Sequence, residues 1–305
     1  MEEFLRSLFL SLSKNKRANE LAKQYGLRFG ADKFVAGETI ESAMAKVQEL
    51  YQQGIAVTLD HLGEFVSDER EARESTEYCL DTLDAIFDHK VNVNLSVKLT
   101  QLGLDIDPGL CKNHLRQILE RAKEYDLFVR VDMEDFGHLA ITLEIVEDLR
   151  HHFHNVGTVI QSYLYRSEED ARHLVGLGIP LRIVKGAYKE PREIAYPDKT
   201  DVDENYKKLV QISLDTSDYT AIATHDEKII EWVKNYVREE NIRAQRYEFQ
   251  MLYGIRASLQ HQLVKEGYPV RIYVPFGNDW YGYFMRRLAE RPANVAFVAR
   301  GIARG

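Results

Sequence analysis

Eight short β-rich runs recur along this chain at a step of about 31 residues, with helical stretches between them. The runs are IAVTLD, VNVNLSVKL, LFVRVDME, VGTVIQSYL, PLRIVKGAY, YTAIATHD, RYEFQMLYG and PVRIYVPFG, starting near residues 55, 91, 127, 156, 180, 219, 246 and 269. Such a step holds one strand, one helix and two short loops. Alternation of this kind places the chain in the α/β class, with parallel strands joined by right-handed crossovers. Eight units predict a closed, distorted (β/α)8 barrel of TIM type, for which about 250 residues is typical. An open doubly wound sheet is the competitor. Against it, DHLGE follows the first run where a G-x-G-x-x-G turn would stand.

Both ends of the chain lie outside this repeat. Residues 1–50 read as a helical arm packed on the barrel. FLRSLFLSLS places apolar residues at helical spacing, and GETIESAMAKVQELYQQG reads as a capped amphipathic helix ending at Gly54. Residues 51–305 make up the barrel, including a C-terminal helix over 279–291 that Pro292 ends. That helix carries Tyr283, Arg286 and Arg287 on one side or its margins. Adjacent guanidinium forks suit a small carboxylate; a solvated basic patch is the alternative.

Composition removes several classes. Of 305 residues, 40 are basic and 48 acidic, a net charge of -8 that disfavours nucleic acid as a partner. The two cysteines, Cys79 and Cys111, match no zinc or disulfide spacing and fit a reducing, cytoplasmic setting. Neither a secretory signal nor a run of about 20 apolar residues is present, so contact with a membrane would be peripheral.

Barrel enzymes build their sites where the strands end. Here every run ends in polar groups: Asp60 with Glu64, Lys98, Asp132 with Glu134, Gln161, Arg182 with Lys185, Thr224 with His225, Glu248 with Gln250, and Tyr273. Burying so many charges without a ligand would cost several kcal/mol per unpaired ion, so the array reads as a site. Ser-His-Asp order, HExxH and a cysteine near the mouth are all missing, and no metal is expected. The remaining set is cationic and hydrogen-bonding, suited to an anionic cofactor and an anionic substrate. In KGAY, Gly186 and Ala187 are small enough to admit a flat ring or a phosphate. A barrel lyase using Lys98 or Lys185 as a Schiff base, or a non-catalytic amino-acid-binding barrel, fits the same residues.

Eight segments in order, SVKL, VDMED, VIQSYLYR, LRIVKGAY, ATHD, EFQMLYG, RIYVPFG and YFMRRLAERPAN, resemble the flavin-dependent proline dehydrogenases, and within them the short monofunctional bacterial members. The resemblance runs from the helix before Gly54 to about Arg300. It implies FAD bound non-covalently and oxidation of L-proline to Δ1-pyrroline-5-carboxylate. Electrons would pass to a membrane quinone, and a separate pyrroline-5-carboxylate dehydrogenase would take the product. It further implies substrate contacts at Lys98, Tyr273, Tyr283, Arg286 and Arg287, and cofactor contacts at Met133, Gln161, Arg182, Lys185, Gly186, Ala187, Thr224 and His225. Asp132 and Arg182 would take catalytic roles, and Glu64 would act as a gate able to pair with Arg286. One departure stands close to the site: Asp226 follows His225 where an asparagine is common.

Overall fold

The computed structural model describes residues 31–63 and 66–290. Residues 1–30 of the expected arm and the expected gate residue Glu64 lie outside the described residues, as does Pro292. The eight strands are β1 (Ala56–His61), β2 (Val93–Val97), β3 (Val129–Val131), β4 (Val156–Gln161), β5 (Leu181–Val184), β6 (Thr220–Ala223), β7 (Tyr247–Leu252) and β8 (Val270–Phe276). Each begins within two residues of its expected start. All neighbouring pairs are parallel, and β8 pairs with β1 to close the ring.

The helices are α1 (Ile40–Gln52), α2 (Glu69–His89), α3 (Pro108–Glu124), α4 (Phe136–Arg150), α5 (Ser167–Gly176), α6 (Lys199–Thr216), α7 (Glu227–Glu239), α8 (Ala257–Lys265) and α9 (Trp280–Glu290). Their starts are chemically marked. Thr39 and Ser42 form a reciprocal capping box on α1, and the carboxylates of Asp68, Asp107, Asp135 and Asp226 accept backbone N–H groups at the starts of α2, α3, α4 and α7. Such a cap contributes about 1 kcal/mol.

The main core lies between strands and helices. Strands β2 and β4 are buried along their whole length, as expected where helices cover one face and the barrel interior the other. Cys79 and Cys111 are buried free thiols in this core, and burial pushes each up to about 12. No helix among the described residues is long and apolar enough to cross a membrane.

Helix α9 packs elsewhere. Its Trp280, Tyr283, Phe284 and Leu288 form a second, separate apolar cluster with Ala31, Phe34, Val35 and Leu62.

Candidate active site

Asp132, one residue past β3, extends the ladder by donating its N–H to Val97 O at 2.9 Å. Its carboxylate collects donors from three strands. Arg182 Nη1 donates to Oδ1 at 2.6 Å and Ser96 Oγ to the same oxygen at 3.1 Å, while Tyr273 OH donates to Oδ2 at 2.6 Å. Lys98 Nζ stands 3.8 Å from Oδ2. Its closer partner is Asp60, whose two carboxylate oxygens lie 2.9 and 3.0 Å away. Burial raises the Asp60 carboxyl above its usual range, against the pull of Lys98. Burial, and then the Asp132 charge, push the Tyr273 hydroxyl well up. Tyr273 therefore remains a neutral donor at physiological pH.

A second chain of bonds holds Arg182 from below. Its Nε donates to Gln250 Oε1 at 2.6 Å and its Nη2 to Ser96 Oγ at 3.3 Å, with the guanidinium 5.2 Å from the Tyr273 ring centroid. Gln250 Nε2 donates to Glu248 Oε1 at 2.6 Å, and Arg271 Nε donates to that same oxygen at 2.6 Å. Arg271 Nη1 then reaches Val57 O at 2.7 Å. Burial alone would raise the Glu248 carboxyl, but Arg271 brings it below its usual range. An ionised Glu248 is only an acceptor, so it orients the Gln250 amide and turns the oxygen toward Arg182.

The expected cofactor contacts occupy the ends of four consecutive strands, β3 to β6. Met133, Gln161 and Thr224 are buried. Gln161 Nε2 donates to Glu134 O at 3.0 Å, while its buried Oε1 has no hydrogen-bond partner. Gly186 has φ +114, and a Cβ there would lie 2.3 Å from the Tyr163 ring, so only glycine fits. Ala187 beside it is exposed. His225 Nε2 accepts the Leu252 N–H at 3.0 Å, and its carbonyl accepts Arg256 Nη1 at 2.6 Å.

Lys185 Nζ lies 2.5 Å from Asp203 Oδ1 and 2.9 Å from Asp226 Oδ2. Asp226 also accepts from Lys228 N on α7 at 3.1 Å, and its own N–H donates to Thr224 Oγ1 at 3.1 Å. Partial burial raises the Asp226 carboxyl, yet Lys185 outweighs it and the group falls to about 2. An aspartate after His225 is therefore a charge partner for Lys185 as well as a cap. The two lysines of the Schiff-base alternative are each held against carboxylates, Lys98 by Asp60 and Lys185 by Asp203 and Asp226.

On α9, Tyr283 is buried and Arg286 and Arg287 are half-buried. The Arg287 guanidinium lies 5.0 Å from the Tyr283 ring centroid, a cation–π arrangement. Among the described residues, no cluster of three or more His, Cys, Asp or Glu side chains could hold a metal.

Several residues of the network were not singled out by sequence. Ser96 and Arg271 stood only as the first residues of the segments SVKL and RIYVPFG, with no role attached, and Asp60, Glu248 and Gln250 were noted only as polar strand ends. A period-2 signal was present: Ser96 and Lys98, Arg130 and Asp132, Glu248 and Gln250, Arg271 and Tyr273 are spaced to share the inner face.

A profile described as proline dehydrogenase matches residues 43–300. Proline dehydrogenase 1 of Bacillus subtilis (strain 168) is 50% identical over 298 residues, 98% of this chain and 99% of that protein. Proline dehydrogenase of Deinococcus radiodurans is 44% identical over 310 residues, covering 100% of both. Among solved structures, proline utilization A from Bdellovibrio bacteriovorus, inactivated by N-propargylglycine, superposes with a TM-score of 0.79 at 27% identity. That match covers 85% of this chain but only 32% of the other, so the chain spans about a third of that protein's length.

Proposed function

Because the chain belongs to the proline dehydrogenase family, we propose that it oxidises L-proline to Δ1-pyrroline-5-carboxylate with FAD, passing electrons to a membrane quinone. Proline oxidation opens proline catabolism, and the family is flavin-dependent. The observation that carries the reading is the convergence of Arg182, Tyr273 and Ser96 on Asp132 at the barrel mouth, beside the unpartnered Gln161 Oε1. These residues fit FAD: Gln161 Oε1 is an acceptor for a ring N–H, and Lys185 and Arg182 offer positive charge. Met133, Ala187, Thr224 and His225 complete the proposed contacts.

When bound, FAD supplies the acceptor for the hydride that proline loses from C5. The chain's own residues do the rest. Arg286 and Arg287 hold the proline carboxylate, with Lys98 adding positive charge from the barrel side. Fixing the reactants in this way supplies several kcal/mol of the barrier. Arg182, locked by Asp132, Gln250 and Ser96, places fixed positive charge where negative charge develops. A desolvated, cation-rich pocket favours proline as the neutral amine, leaving its nitrogen one proton to lose during oxidation. Asp132 orients Tyr273 and Lys98. The protein works in the cytoplasm with peripheral membrane contact and hands its product to a separate pyrroline-5-carboxylate dehydrogenase.

The test is proline-dependent reduction of a soluble quinone analogue by the FAD-reconstituted chain. Turnover with L-proline and poor turnover with 4-hydroxyproline are expected, the latter because Tyr283 would crowd a ring substituent. No turnover with proline overturns the reading, and efficient turnover of hydroxyproline removes Tyr283 from it.

A further inference from the structure

We propose that residues 31–37 form a strap that seats α9 over the barrel mouth, with Phe34 as a positioning residue for proline; the inference rests on Arg286 and Arg287 binding substrate. Helix α9 is not anchored in the main core. Its buried stripe, Trp280, Tyr283, Phe284 and Leu288, recurs at helical spacing and belongs to a separate cluster. The strap supplies Ala31, Phe34 and Val35 to that cluster, all buried, and the Phe34 and Phe284 ring centroids are 6.1 Å apart. From the barrel rim come Leu62 and the flanking Ile255.

The strap in turn is fixed to rigid backbone. Ala36 N donates to Pro275 O and Gly277 N donates to Gly37 O, both at 2.9 Å, which ties it to the end of β8. Beyond β7 it passes flush over Gly254, where a Cβ would fall 1.7 Å from Lys33 O. The order of support is thus barrel rim, strap, helix, arginines. Arg286 and Arg287 border the stripe, so a tilt of α9 moves both guanidinium groups away from the carboxylate they hold.

Phe34→Ala tests this. Loss of a carboxylate clamp that acts equally on the bound and reacting states raises KM with little change in kcat. The expected result is a KM for proline raised about tenfold or more, unchanged FAD content, and faster amide hydrogen exchange confined to residues 280–288. Phe34→Leu should restore most of the affinity. Gly254→Ala, which displaces the strap from beneath, should reproduce the KM rise. Arg287→Met runs alongside. If Arg287→Met leaves KM unchanged, the assignment of α9 to substrate fails. If Arg287→Met raises KM while Phe34→Ala leaves both KM and the exchange of α9 at wild-type values, the strap fails. A Phe34→Ala variant that lowers Tm and speeds exchange throughout the barrel, with normal KM, also overturns it.

Discussion

Arg182 and Asp132 pair across the barrel mouth, Nη1 to Oδ1 at 2.6 Å, and both side chains are almost fully removed from solvent. Neither ion depends on the other alone. Arg182 also donates to Gln250 and Ser96, and Asp132 also accepts from Tyr273. A buried pair repays its desolvation only when its remaining hydrogen-bonding capacity is met in this way.

Asp132→Asn keeps the shape and removes the charge. Arg182 is then left buried with neutral partners, and breaking such a pair costs about 3 kcal/mol. The expected outcome is a fall in kcat/KM of about 100-fold, together with a lower Tm. Steady-state kinetics and a thermal melt check it; wild-type values for both would show that the pair contributes to neither stability nor chemistry.

Arg286→Met and Arg287→Met each remove one charged fork from α9. Losing a charge-assisted bond to a carboxylate costs about 2–3 kcal/mol, so KM for proline should rise about 30- to 150-fold in each variant. FAD content, read from visible absorbance against protein, should stay at the wild-type ratio. A normal KM in both variants would move the carboxylate site off α9.

Gly186→Ala should weaken cofactor retention. The backbone there has φ +114, and the new methyl would collide with Tyr163. Strain at such a position costs about 1–3 kcal/mol. FAD titrated into the apo-variant should bind at least tenfold more weakly than into the wild type, and equal binding would place the cofactor away from this turn.

His61 should make stability depend on pH. Burial lowers its pKa from 6.5 to about 4, and its ring stacks on Tyr78 at 3.9 Å. The folded form resists the proton that the unfolded chain accepts. Its contribution is therefore complete above pH 6.5, declines as pH falls toward about 4, and is absent below. His61→Phe keeps a ring against Tyr78 without a proton to bind. Over that window the wild type should lose up to about 3 kcal/mol more than the variant in denaturant unfolding. Parallel pH profiles would contradict the assignment.

The barrel was legible in the chain because each strand is a compact β-rich run bounded by turn residues, and the ring of polar strand ends follows from where those runs stop. Ion-pair choice was not legible. Lys98 binds Asp60, 38 residues away, and Lys185 binds Asp203 on α6, a helix residue with no motif around it. Such partners meet only once the ring has closed. The Glu248–Gln250–Arg182 chain was hidden for a similar reason: two polar positions on one face of β7 look alike until Arg271 from β8 fixes the charge of one of them. The strap was hidden too, since ADKFVAG has no periodicity, and its apolar residues gain meaning only from the helix that lands on them.

We propose that this barrel mouth holds a flavin which takes electrons from proline. The visible spectrum of the FAD-reconstituted chain, recorded without oxygen before and after L-proline, tests it most directly. The expected result is a yellow protein that retains flavin through gel filtration and bleaches on addition of proline. A colourless protein, or a yellow one whose spectrum ignores proline, would contradict it.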